Sequence, residues 1–340
     1  MRWRLVWSAG ALAFLLLATG AASWWLAARA LDQAIQRWVE ARRSDGYTVE
    51  WRARAIGGFP LWIRARFEQP ALTAPGGATP WSWQAESLTL AARPWNPTTV
   101  SFEGQGRNLL VLAIPQSVQV TSDAVHGSLV LGLNRPLQGE MEVAAPALWT
   151  EKDTPSASAR RLDVALDKYL SGQADERTES AAGRLSLEGL ALAPPLAQRL
   201  PFSEPIDLSL ALSLFGTVPV DSPARALARW RDAGGIVEIS RLDLNWGPLG
   251  LTGNGTVALD EEMRPLGAGT ASIRGWDATL ERLVALGAVA TRQASIARVV
   301  LSALSKPTPA GAEVTVPLTA QDGKLSVGPV PIMPLPKIVP

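Results

Sequence analysis

The sequence predicts a mainly β fold, specifically a β-rich α+β protein. We expect an N-terminal transmembrane helix followed by a large, curved and mostly antiparallel sheet assembly with a few covering helices. Three observations support this prediction. Residues 5–28 carry no charge, short runs of alternating apolar and polar residues recur from Tyr47 onwards, and only a few later segments have helical spacing.

The apolar run is the first element, and it is either a retained anchor or a cleaved signal peptide. It has the roughly 20 residues that a helix needs to cross a bilayer, and Trp24 and Trp25 lie near its end, where indole rings prefer the membrane–water interface. Small residues at 18–20, or at 20–22, offer a cleavage point. Because the run continues past them and a helical pattern continues to Val39, we predict an anchor and juxtamembrane helix over residues 1–44.

The charge pattern around this anchor does not favour the orientation that we expect. More basic residues follow the run than precede it, and a strict count of them would place the C-terminal side in the cytoplasm. Large domains can translocate regardless of that count. From composition, and from the family resemblance given below, we predict a single-pass inner-membrane protein with residues 45–340 in the periplasm.

A β-hairpin is predicted directly after the anchor. Residues 49–55 and 61–67 each alternate apolar and charged side chains on either side of a Gly-Gly-Phe-Pro interruption. A three-residue loop at 57–59 would pair Ala55 with Leu61 and place both apolar sets on one face. The charged side chains then lie on the opposite face of the hairpin. That face is either a solvated strand surface or a contact with anionic lipid headgroups beside the anchor. It carries four basic side chains: Arg52, Arg54, Arg64 and Arg66.

Further alternating runs predict the remaining strands, in one assembly or in two joined sheets over residues 45–150 and 157–330. The clearest strand covers residues 206–214. Alternation changes parity around Gly189 and again between residues 239 and 242, which predicts a β-bulge at each place.

Other signals predict helices, turns and the tail. Asp221-Ser222-Pro223 is a helix start, Thr291 is expected to cap a later helix, and Asp322-Gly323 predicts a hairpin turn. The proline-rich tail at residues 328–340 is expected to be extended, and it either covers a sheet edge or binds a partner.

Composition excludes several kinds of site. The 340-residue chain has 32 basic and 31 acidic residues, and its net charge of +1 gives no bulk reason to expect nucleic acid as a partner. The absence of cysteine excludes disulfides, thiolate nucleophiles and iron–sulfur clusters. The single histidine, His126, is expected to lie at the surface. We therefore expect a protein that is not an enzyme and has no cofactor or metal.

Two glycine pairs come nearest to phosphate-binding loops. Gly104-x-Gly106 and Gly253-x-Gly255 lack the rest of any nucleotide fingerprint, so both are predicted to be turns.

The apolar face of the clearest strand is the other candidate interaction surface. Leu208, Leu210 and Leu212 share this face, given the two-residue period of a strand. The face is either an ordinary core under helices and a second sheet, or a groove that stays open for acyl chains.

The chain resembles a proteobacterial family called domain of unknown function number 2125. The matching pieces are the N-terminal anchor, the Gly58-Phe59-Pro60 motif, the Gly275-Trp276 helix start and the closing segment from Pro317. In outline it is more loosely similar to AsmA-like and other membrane-anchored periplasmic proteins.

These resemblances imply an envelope protein that binds membrane lipid or supports outer-membrane lipid homeostasis. They supply no catalytic residues. The alternative is a periplasmic scaffold that binds another envelope protein through a strand edge or through the proline-rich tail.

Overall fold

The computed structural model describes residues 2–76, 80–114, 116–131, 137–150, 154–169, 178–194, 197–217, 223–308, 311–328 and 330–338. Within these ranges, side chains are described except at residues 2–6, 8–14, 16–17, 113, 114, 116, 199, 223, 224 and 330–333.

Four α-helices are present in these ranges: α1 (Arg2–Ser44), α2 (Pro223–Asp232), α3 (Trp276–Ala285) and α4 (Thr291–Leu304). The strands within each part of the chain pair antiparallel, which confirms the predicted β-rich class.

Part of the predicted N-terminal span lies outside the described side chains, because most of those before residue 18 are among the exceptions. Among the residues that are described, no helix has both the length and the apolar character needed to cross a membrane.

Contacts divide the chain into two compact units, of which the first comprises residues 1–133 and 141–152. It contains α1 and the following strands: β1 (Thr48–Glu50), β2 (Ala53–Gly57), β3 (Ile63–Glu68), β4 (Ala71–Thr73), β5 (Trp81–Arg93), β6 (Asn96–Ile114), β7 (Gln116–Val130) and β9 (Ala147–Trp149). A further strand, β8, covers Leu137–Ala144.

Helix α1 packs on the first hairpin with the second half of its length. Ala28 and Val39 are buried, and the helix contacts β1, β2 and β3. The indole Nε1 of Trp24 donates a hydrogen bond to the backbone oxygen of Trp62 (2.6 Å). By contrast, the side chains of residues 18–23 are all exposed. Among the described side chains of α1, contact with the sheet therefore begins at Trp24.

The hairpin itself is confirmed, but its predicted register is wrong. Ile56 pairs with Ala65, and Val49 pairs with Leu72 of β4. The loop lies at residues 58–62, where Trp62 N donates to Gly58 O, so the centre of the hairpin is further along the chain than predicted. A bend at Arg52 separates β1 from β2 and reverses which side chains face α1.

The second unit comprises residues 134–140 and 153–340. Its strands, apart from the part of β8 that lies within residues 134–140, are β10 (Ala157–Ser158), β11 (Arg161–Tyr169), β12 (Glu179–Leu192), β13 (Ile206–Phe215), β14 (Ile236–Trp246), β15 (Leu249–Leu259), β16 (Pro265–Arg274), β17 (Lys306–Thr308), β18 (Gly311–Gln321), β19 (Lys324–Val327) and β20 (Val330–Pro334). The division into two sheets that the sequence suggested stays a prediction.

Several local predictions in this unit are confirmed. The register shifts at Gly189 and between Ile239 and Leu242, and the Asp322-Gly323 turn joins β18 to β19. Gly189 N, which the bulge removes from the ladder, donates instead to Asp207 Oδ1 (2.7 Å). Part of the proline-rich tail forms β20 and pairs with β19, so it covers that edge.

Other local predictions are wrong. Thr291 is the first residue of α4 rather than its cap, because Ala290 occupies the cap position. Gly104 and Gly106 lie inside β6, where a bulge between Gln105 and Asn108 replaces the predicted turn. The helix-start residues 221 and 222 lie outside the described part of the chain.

The best-buried cluster of the second unit lies where helices cover β16 and β18. Ala271, Val314 and Val316 are almost completely buried, and Trp276 of α3 and Leu301 of α4 pack against them. At this end of the sheet the apolar face is therefore a covered core.

Candidate functional site

An apolar surface extends from the covered core across the neighbouring strands. Antiparallel register places Leu185, Leu210 and Leu242 in one row, and Leu187, Leu208 and Leu244 in the next. Leu212 lies in a third row, opposite Gly183 and Ile239. We call this surface the leucine face, defined by Leu185, Leu187, Leu208, Leu210, Leu212, Leu242 and Leu244.

The leucine face is not a covered core. All seven of its leucines are half-buried, and within the described residues no side chain of β11 or β13 is buried. A sheet packed between two layers would bury one face of its central strands fully. The three leucines predicted from sequence therefore lie together on a face that is partly open.

The leucine face leads into an apolar cavity of about 170 Å³. Ile239 and Leu242 line one side, and Leu318 and Leu325 line the other. Leu242 belongs to both surfaces, because it pairs directly with Leu210. The arrangement offers a continuous apolar path from β12 to the cavity, without an ionisable side chain in the cavity lining.

Glycines form the floor of this cavity. Gly255 pairs with Gly269 across β15 and β16, and a Cβ atom at these positions would lie 2.7 Å from Ala268 O and 2.4 Å from Asn254 O. Gly253 and Gly255 are thus strand residues that permit close approach of two backbones, and the turn predicted for this pair is wrong. The absence of side chains at these glycines therefore lets the two strands approach closely at the floor of the cavity.

The four predicted arginines do not share one surface. Arg54 pairs with Phe67, whose side chain is buried, and it binds Asp32 of α1. Arg52 lies at the bend and donates to Glu68 Oε2 from Nη2 (2.6 Å), which lowers the pKa of Glu68. Arg64 and Arg66 are exposed on β3. The predicted basic face is therefore reduced to this last pair.

A comparison with family models gives one match over nearly the whole chain. The model is described as "Uncharacterized protein conserved in bacteria (DUF2125)", and it matches residues 24–336. The chain belongs to the DUF2125 family. In this DUF2125 protein the match begins at Trp24, whose indole donates a hydrogen bond to Trp62 O in the hairpin.

A search of curated proteins finds no match for this DUF2125 protein. The looser resemblance to AsmA-like proteins stays a prediction.

The ionisable groups that the structure of this DUF2125 protein describes do not assemble into a metal cluster. Among the described residues, no group of three histidine, aspartate or glutamate side chains is close enough to hold an ion. His126 is exposed, with its Nδ1 3.8 Å from Glu103 Oε1.

Sequence reasoning missed two sets of residues that the structure brings together. The first is the cavity lining beyond the leucines, which depends on strand pairing between β15 and β16. The second is a group around Arg93 and Trp95, which lies next to Trp62. A signal for the second set was present, since a Trp–Pro-rich turn follows an arginine in the sequence.

Proposed function

We propose that this DUF2125 protein is a membrane-anchored periplasmic protein that binds membrane lipid and thereby supports envelope lipid homeostasis. The observation that carries the proposal is the partly open leucine face and the apolar cavity that it enters. Binding is non-covalent, and the protein acts as a carrier or holder of lipid rather than as an enzyme.

The physical argument concerns the cost of leaving this face in water. Removing apolar surface from water is favourable by about 25 cal/mol for each Å², so partly exposed leucines on several adjacent strands favour an apolar cover. An acyl chain suits the site because it is long, narrow and without polar groups. The surface of the cavity lining is almost entirely apolar, so a bound acyl chain would leave almost no polar group of the lining without a hydrogen-bond partner.

The membrane attachment in this proposal rests on the first helix. Residues 5–28 carry no charge, and α1 is continuous from Arg2 to Ser44. The described side chains before Trp24 are all exposed, so the sheet does not cover these residues of the helix. An uncharged helix of this kind is stable when lipid surrounds it.

Photocrosslinking of the full chain in its own membrane tests lipid binding directly. Phospholipid with a photoreactive group at the end of one acyl chain is supplied, and crosslinked peptides are mapped by mass spectrometry. We expect crosslinks in β13–β16. Leu210→Asp should reduce them roughly tenfold, because a charge on this face opposes burial of an acyl chain. Unreduced crosslinking in a folded Leu210→Asp protein, or the absence of crosslinks in these strands, would contradict the proposal.

A matched control is available on the same strand. Ala211 faces the other side of β13, opposite Arg184 and Arg241, so Ala211→Asp adds the same charge beside two cations. This variant should keep normal crosslinking. Thermal unfolding of both variants separates loss of lipid from loss of fold, and Leu210→Trp, which fills the path without adding charge, gives a second test.

The alternative function is a scaffold for another envelope protein. Strand β20 is the observation that favours it: within the described residues it pairs with β19 alone, and an edge strand of this kind can pair with a partner. Pro331 and Pro334 in that strand lack N–H donors, which weakens such pairing. Crosslinks to one protein partner at β20, without lipid in β13–β16, would favour the scaffold over the lipid-binding proposal.

A further inference from the structure

One end of the first unit is unusually aromatic and apolar. Phe59 and Leu61 in the hairpin loop are 55 % and 58 % exposed, and Trp95 in the turn between β5 and β6 is 62 % exposed. Leu131, just after β7, is also exposed, and its N donates to Thr98 O (2.7 Å). We call this surface the aromatic end, defined by Phe59, Leu61, Trp62, Trp95 and Leu131.

The aromatic end is a connected structure rather than scattered exposed residues. Ile63 pairs with Ala92, which brings the hairpin loop beside the next turn. The guanidinium carbon of Arg93 lies 5.0 Å from the ring centre of Trp62 and 5.8 Å from that of Trp95. One cation therefore contacts both indoles.

Helix α1 is attached to this same end. Trp24 donates to Trp62 O, and its ring meets that of Phe59 edge to face with centres 5.6 Å apart. The next residue, Trp25, is exposed, and the Arg29 guanidinium lies 3.7 Å from its ring centre. The point where α1 reaches the sheet is thus bordered by exposed aromatic and basic groups.

The charge at the aromatic end is of one sign. The sequence segments that form it, residues 51–67, 87–102 and 124–131, contain no acidic residue. Arg64 and Arg93 are exposed, and within the described structure neither forms a salt bridge; each contacts an indole ring instead. Indole rings with neighbouring arginines are typical of the membrane–water interface, and cations there attract anionic headgroups.

We propose that the aromatic end lies on an anionic membrane surface, with Phe59, Leu61 and Trp95 inserted among the headgroups. The length of α1 fits this position. Residues 5–23 form a helix of about 28 Å, which matches a hydrocarbon core of about 30 Å. Trp24, and the loop that it binds, then lie at the boundary between lipid and water.

This inference rests on the membrane attachment in the proposed function, but not on acyl binding by the leucine face. It makes the first hairpin a second membrane contact beside α1. Two contacts restrict the tilt of the first unit on the bilayer, whereas a single helix leaves the unit free to rotate.

The absence of native cysteine makes spin labelling a direct test. Single variants Leu61→Cys, Leu15→Cys and Gln119→Cys of the full chain are labelled with a nitroxide in nanodiscs of phosphatidylcholine with roughly 30 % phosphatidylglycerol. Gln119 is an exposed position on β7 about 40 Å along the strands from the aromatic end. Collision with oxygen and with a water-soluble nickel complex reports the depth of each label.

We expect the labels at positions 15 and 61 to favour oxygen, and the label at 119 to favour nickel. If the label at 15 is immersed and that at 61 is in water, α1 is an anchor and the docking proposal is overturned. If the label at 15 is also in water, the membrane attachment fails as well. Neither result affects lipid crosslinking at β13–β16, which tests the leucine face separately.

A charge variant tests the role of the arginines. In the Leu61→Cys background, Arg64→Gln with Arg93→Gln should lower the ratio of docked to undocked protein about thirtyfold, taking roughly 1 kcal/mol for each cation. Arg107→Gln is the matched control, since Arg107 is exposed on β6 away from this end. An equal effect of both changes, or no effect of the double change, would overturn the proposed headgroup contact.

Discussion

Arg54 on β2 binds Asp32 on α1 through its Nη2 atom, and this ion pair joins the first helix to the first hairpin. Both groups are partly removed from water, with 19 % of the Arg54 side chain and 36 % of the Asp32 side chain exposed. The neighbouring pair of Arg52 and Glu68 is much more exposed. Of these two ion pairs, only that of Arg54 and Asp32 therefore joins two elements at a place from which water is partly excluded.

Replacing this arginine should loosen the helix. In Arg54→Gln, Asp32 keeps its charge without a cationic partner, and docking of residues 24–44 should weaken by about 1–2 kcal/mol, between the values for exposed and buried pairs. Hydrogen exchange of that segment should become roughly five- to thirtyfold faster. Arg52→Gln is the control and should leave exchange there unchanged; equal exchange in both variants would show that the Arg54 pair does not hold the helix.

The same pair shows where alternation in the sequence stops being informative. Alternation located both strands of the hairpin, but it placed Arg54 with Arg64 and Arg66 on one solvated face. A single bend at Arg52 reverses the facing of every later residue of β2, and Arg54 then lies beside Phe67. Register depends on the loop and on α1, which are tertiary features that a two-residue period does not contain.

Features that depend only on residues within one strand could be predicted from the sequence. The parity change at Gly189 marks a real bulge, because the left-handed backbone at that glycine (φ 67°) is a local property. The strand predicted at residues 206–214 is β13 for a similar reason. The cavity could not be predicted in this way, since it depends on how closely Gly255 and Gly269 bring two strands together.

Truncation in the covered core should measure how much the packing of α3 and α4 stabilises the second unit. Val314 is 0 % exposed, and Val314→Ala should lower the free energy of unfolding by about 1–3 kcal/mol through lost burial and a residual cavity. Val299→Ala makes the same chemical change on α4 at a residue that is 71 % exposed, and should change stability by less than about 0.5 kcal/mol. Denaturant unfolding of the full chain in mild detergent gives both values, and similar losses would refute a covered core at Val314.

One carboxylate should make the second unit sensitive to acid. The Ser213 hydroxyl donates to Glu179 Oε1 (2.7 Å), and this bond lowers the pKa of Glu179 despite partial burial; Lys168 Nζ adds to the effect from 3.3 Å. Because the pKa is lower in the folded state, this stabilisation is present above the ordinary value of 4.5 and is lost as pH falls through the folded value.

Glu179→Gln should therefore lower the Tm near neutral pH, and the difference from the parent protein should shrink as the pH falls below about 4.5. Ser213→Ala keeps the carboxylate but removes the main donor, so it should lose part of the same pH-dependent stabilisation. Thermal unfolding across this pH range measures both. A Tm difference that stays constant with pH would mean that Glu179 does not contribute through its charge.

Gly235 in the second unit lies directly against the ring of Trp230. A Cβ atom at Gly235 would lie 2.2 Å from ring carbon Cε2 of Trp230, and that ring is buried and fixed by a hydrogen bond from Nε1 to Phe215 O (2.9 Å). Gly235→Ala should therefore destabilise the protein by about 1–3 kcal/mol through overpacking. Gly57→Ala is the control, because nothing lies within 4 Å of the added methyl group. In a Trp230→Leu background the penalty of Gly235→Ala should largely disappear, because the clashing ring is absent; a full penalty in that double variant would assign the cost to the backbone rather than to Trp230.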